Sequence, residues 1–116
     1  MNKINKIFYQ EYEKVYQNLT LSKEIIFKIF DNILNEINKL EFIDGTVELT
    51  SSHRIKFTLL FPDNKVLMIT KYLKHKEFDL NEDDIIFSLF VNKKLIASDV
   101  SKISYFISGF KKYLTN

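Results

Sequence analysis

The chain has no cysteine and no tryptophan, one proline and two glycines. Without cysteine there can be no disulfide, thiolate nucleophile or thiolate metal site, which suits a reducing compartment. The glycines, Gly45 and Gly109, are too far apart to form a phosphate-cradling loop. Arginine occurs once, as Arg54, so the chain is poor in the planar forks that grip phosphates and guanine edges two bonds at a time. No apolar run approaches the roughly 18–20 residues needed to cross a bilayer. The opening Met1-Asn2-Lys3-Ile4-Asn5-Lys6 also lacks the unbroken apolar segment of about 7–15 residues that marks a secretory leader. A cytoplasmic protein with no membrane partner is expected.

What the chain has in abundance is apolar and aromatic side chains. Its 116 residues are 46% hydrophobic, 15% aromatic and 28% charged, with a net charge of +2. That is enough to fill one core and too little charge to favour disorder, so residues 1–116 are taken as a single domain. Lys, Asn, Ile, Phe and Tyr make up about half the chain. All five have AT-rich codons, which points to AT-rich bacterial, phage or mobile-element DNA and says nothing about chemistry.

The hydrophobic spacing sets the architecture. Ile4, Ile7, Phe8, Tyr12, Val15, Tyr16 and Leu19 recur at steps of three and four, predicting a first helix. The pattern pauses at residues 18–22, where Thr20 or Ser22 can cap a second helix over about 22–40. In that helix Ile26, Ile29, Phe30, Ile33, Ile37 and Leu40 form a wide stripe. Asp44-Gly45 is expected to turn the chain, with Gly45 supplying a positive φ. Period-two segments follow: Thr46–Thr50, a strand through Phe61, and a return strand from Val66 to Tyr72 across a Pro62-Asp63-Asn64 turn. Ile85–Val91 and Lys94–Ser98 form a second hairpin about Asn92-Lys93. Ser98 or Asp99 is expected to cap a last helix carrying Val100, Ile103, Phe106, Ile107, Phe110 and Leu114. Short connections favour antiparallel pairing. The expected fold is therefore a two-layer α+β domain: N-terminal helices, an antiparallel meander of about five strands, and a C-terminal helix on the same sheet face.

No constellation points to catalysis, and neither an enzyme nor a cofactor is expected. His53 neighbours Ser51 and Ser52 in a turn, but adjacent turn residues rarely aim at one another and no third group is evident. His75, between Lys74 and Lys76, suits an exposed neutral side chain. The acids Asp79, Glu82, Asp83 and Asp84 lack the spacing and central glycine of a calcium loop, so no metal is expected there.

Three surfaces remain. Tyr9, Tyr12 and Tyr16 lie within two turns of the first helix, and tyrosine is enriched where proteins meet. The acidic segment Asp79, Glu82, Asp83 and Asp84 offers a charged docking face. The lysines Lys71, Lys74 and Lys76, with Lys93, Lys94, Lys111 and Lys112, could follow a nucleic-acid backbone. The leading expectation is a non-enzymatic protein that binds another protein, of the inhibitor, immunity or anti-CRISPR type, as a monomer or homodimer. The alternative is nucleic-acid binding through the lysines.

Overall fold

A computed structural model describes residues 3–74 and 83–115. Helix α1 (Lys3–Val15) runs into a short 3-10 turn at Tyr16–Asn18, and α2 (Lys23–Ile37) follows. The break falls where the stripe pauses. Ser22 caps α2, its hydroxyl accepting from the Ile25 N–H at 3.3 Å. Strands β1 (Asp44–Thr50), β2 (Arg54–Phe61), β3 (Lys65–Tyr72), β4 (Asp84–Val91) and β5 (Lys94–Lys102) form one antiparallel sheet in chain order, and α3 (Ile103–Thr115) closes the fold. The α+β meander expected from the periodicity is the fold observed.

The turns explain the registers. Asp63 and Asn64 have φ of 63° and 58°, and Asn92 and Lys93 of 52° and 69°. Left-handed residues at consecutive positions give the reversal that matches strand twist. Asn64 and Lys93 thus do the work more often given to glycine. The two turns are also joined, since the Asn92 N–H donates to the Asn64 carbonyl at 3.1 Å.

One sheet face carries the core. Phe57, Ile69 and Phe87 are paired across β2, β3 and β4 and point the same way. Phe30 of α2 stacks between Phe8 of α1, at 3.9 Å between ring centres, and Phe57 of the sheet, at 5.8 Å. On the other side of α2, Phe106 and Phe110 of α3 pack on Phe87 at 4.5 and 5.4 Å. Helices α2 and α3 therefore cover the sheet. Helix α1 lies along β1, where Glu11 accepts the Leu49 N–H and Lys3 pairs with Asp44 at 2.7 Å.

Two local expectations need correction. Gly45 does not turn the chain with a positive φ; it lies inside β1, and neither glycine has positive φ. It is glycine for space, because a Cβ there would stand 2.9 Å from Leu59 Cδ2 and 3.2 Å from Ile4 Cδ1. The last helix also begins later than its stripe suggests. Ser98, Asp99 and Val100 belong to β5, paired with Ser88, Phe87 and Ile86. The eight-residue β4 offers a full ladder of hydrogen-bonding groups, and satisfying it outweighs the helical spacing of Val100 and Ile103.

Candidate partner-binding surfaces

The three tyrosines form one surface. Tyr12 and Tyr16 stack with 5.7 Å between ring centres, and Tyr9 and Tyr12 each meet Phe27 of α2 at 5.0 and 5.3 Å. Tyr9 is 53% exposed and Tyr16 44%. The ammonium of Lys23, in the first turn of α2, lies 5.4 Å from the Tyr9 ring centre and 5.5 Å from those of Tyr12 and Phe27. A cation facing three rings gains from each quadrupole, about 0.5–1 kcal/mol per contact at an exposed site. Lys23 and Phe27 escaped the sequence reading. They are one helical turn apart, as are Tyr9 and Tyr12, and only the packing of α1 against α2 brings the two pairs together.

The acids are placed elsewhere. Asp83 is exposed and lies 4.0 Å from the Lys102 ammonium, and Asp84 opens β4. In sheet order β4 is three strands from β1, along which α1 runs, so the tyrosines and these acids are separate surfaces. Asp79, Glu82, Lys76 and His75 lie outside the described residues.

The lysines divide. Lys71 is 5% exposed on the helix-facing side of β3, with its ammonium donating to the Asp84 carbonyl at 2.9 Å. It shares that face with Leu67 and Ile69, so strand alternation removes it from any basic patch, while Lys74 beyond the strand end stays exposed. Lys93 and Lys94 at the β4–β5 turn do sit at the same end of the molecule as Lys111 and Lys112. Lys65, paired with Val91 beside that turn, reaches the end of α3, where its ammonium donates to the Tyr113 carbonyl at 2.7 Å. A cation on the last carbonyls of a helix is favoured by the helix dipole.

His53 proves to be a clasp. It is 7% exposed with φ of 64°, and its Nε2 accepts the Thr20 N–H at 3.1 Å, tying the α1–α2 connection to the β1–β2 turn. Its own carbonyl accepts the Leu73 N–H at 2.8 Å.

Other features are sparse. A cleft of about 450 Å³ between α2, α3 and the β3–β4 end is lined by isoleucines with Lys71, Asn32 and Asp83. Among the described residues its polar lining is the Lys71 ammonium, which donates to the Asp84 carbonyl, with the Asn32 amide and the Asp83 carboxylate. Among the described residues no three His, Asp or Glu side chains converge on a metal position, and no helix is long and apolar enough to span a membrane. The pKa of the Asp44 carboxyl is lowered, chiefly by its hydrogen bond from Lys3 and also by the Gly45 N–H.

Comparison with protein-family models, with curated proteins and with solved structures finds no match.

Proposed function

We propose that this chain is a non-enzymatic cytoplasmic binding protein that docks another protein through the aromatic surface of α1 and α2. The observation that carries this is the grouping of Tyr9, Tyr12, Tyr16 and Phe27 around the Lys23 ammonium, with Tyr9 and Tyr16 about half exposed. Rigid, amphipathic rings bury much area for little lost side-chain freedom, which is why tyrosine recurs at the centres of interfaces. The lysine leaves a positive centre within that surface, so an acidic or carbonyl-rich patch is the chemistry it would meet. An inhibitor or immunity factor of the anti-CRISPR kind, acting by covering a target's working surface, fits a small chain whose described residues bring no catalytic groups together.

Affinity capture with the full-length chain tests this. A stoichiometric protein partner should be retained by the wild type and lost from a Tyr9→Ser/Tyr16→Ser variant whose circular dichroism is unchanged. Equal retention by the variant would remove the tyrosine surface from consideration.

A second reading rests on the gathering of Lys93, Lys94, Lys111 and Lys112 at one end of the molecule. Nucleic acid held there would be released steeply as salt rises, because each neutralised phosphate frees a counterion. Absence of any DNA or RNA shift at low salt rules it out.

A further inference from the structure

Among the described residues no helix packs on the sheet face opposite α2 and α3, and over most of β2 to β4 its pattern complements itself. Pairing register places Leu60, Val66, Phe90 and Leu95 side by side across β2 to β5 at one end of this face. In the middle Met68 lies between Thr58 and Ser88. At the far end stand Arg54 and Tyr72, with Asp84 and Lys102 paired beyond them. Leu60 is 41% exposed, Leu95 56% and Val100 45%. A contiguous apolar area of this kind on a sheet is unusual for a surface left to water.

The sheet edges are closed to a partner strand. Helix α1 covers β1. Strand β5 carries a bulge between its pairings with Leu89 and Phe90, with Ile96 as the extra residue. It also carries Lys94 and Lys102 at its ends, and Asp99 on the helix-facing side opposite Phe87. Bulges, edge lysines and an inward charge all discourage edge-to-edge pairing. The face is what remains.

We propose that this face is buried against the same face of a second copy, with the two-fold axis running along β3. An isologous contact requires each patch to meet its own image. An axis along β3 exchanges β2 with β4 and keeps each end of the face over the same end of its image. Leu60 then meets Phe90, Val66 meets Val66 and Thr58 meets Ser88, while Lys56 meets Ile86, one charge set over an apolar group. At the far end Arg54 meets Asp84, a favourable pair of charges. The perpendicular axis reverses the ends and sets Leu60 over Arg54 and Phe90 over Asp84, leaving two charges on apolar groups between β2 and β4 and no opposed pair of charges. Packed sheets cross at about 30°, so the match holds over β2 to β4 and diverges toward β1 and β5. Five strands about 4.8 Å apart and about eight residues long, at roughly 3.3 Å per residue, give a footprint of roughly 600 Å². That is the lower end of the range of about 600–1,000 Å² per partner over which specific interfaces are stable. The helices of both copies face outward, so the dimer presents two tyrosine surfaces. The proposal stands independently of what binds there.

Sedimentation velocity of the full-length chain across the micromolar range tests it, together with single-cysteine cross-linking, which the cysteine-free background keeps clean. The wild type should have twice the chain mass. Leu60→Glu, at a side chain already 41% exposed, should halve that mass without changing the circular dichroism. Facing sheets lie about 10 Å apart, too far for a disulfide, so a short bismaleimide is used. Met68→Cys, on the axis, should cross-link to itself; Thr58→Cys should not, but should join Ser88→Cys when the two are mixed. A wild type that is monomeric throughout, or a dimer that Leu60→Glu leaves intact, overturns the proposal. Self-linking of Thr58→Cys without Met68→Cys overturns the axis. Should Leu60→Glu fail to fold, the conservative cysteine variants decide alone.

Discussion

At the scale of single residues, two neighbouring positions are required for different physical reasons. Gly45 is held by its neighbours: a methyl group there would press on Leu59 from within the sheet and on Ile4 from α1. Overpacking of this sort typically costs about 1–3 kcal/mol, so Gly45→Ala should shift the urea midpoint down by a corresponding amount with little change in slope. Asp44, next to it, is governed by charge. Lys3 donates to its carboxylate at 2.7 Å and lowers its pKa. A depressed folded-state value means the tie stabilises the fold above the ordinary aspartate value and is lost as pH falls through the folded value. The carboxyl signal of Asp44 in an NMR titration should therefore have its midpoint below that of an unperturbed aspartate, and Lys3→Met should bring it back up. Because the pair is exposed to water, the accompanying change in stability should be small and confined to acid pH.

Elements are built from longer patterns and are open to tests of their own. Helix α3 contains Gly109, whose φ is not positive and where an added Cβ would meet nothing within 4 Å. Its flexibility in the unfolded chain therefore costs stability without serving packing, and Gly109→Ala should raise stability by about 0.5–1 kcal/mol in thermal or urea melts. Strand β5 is the reverse case, where a residue unfavourable to the strand protects the molecule. Asp99 faces the helical side beside Phe87 yet is exposed. Asp99→Val would improve the strand and remove the inward charge. Light scattering on warming should then show earlier association than in the wild type, even if the melting midpoint rises.

The whole molecule presents two unlike sides. One is the sheet face for which a second copy is proposed, and the other is the helical side with its aromatic surface. If both proposals hold, a dimer carries two docking surfaces pointing away from each other, and binding to a densely immobilised partner gains from the linkage. A monomeric Leu60→Glu variant should then keep the one-to-one affinity in solution while dissociating at least tenfold faster from the dense surface. Surface plasmon resonance at low and high partner density separates the two effects.

Much of this architecture was legible in the residues themselves. Steps of three and four marked α1 and α2, alternation marked β1 to β4, and short connections favoured antiparallel neighbours everywhere except across the longer connection at 73–84. These signals are local, since a stripe or an alternation is made by residues a few positions apart. The Tyr9, Tyr12 and Tyr16 group was visible for the same reason. What the tertiary structure alone decided depends on contacts between distant segments. The ladder offered by β4 drew Val100 out of the last helix and into β5. The approach of α1 to β1 made Gly45 a matter of space. Docking of α1 on α2 put Lys23 among three rings. Burial on the helix side of β3 withdrew Lys71 from solvent. Hydrogen-bonding groups that must be satisfied and volumes that must not overlap couple residues tens of positions apart, and no spacing within one segment records that coupling.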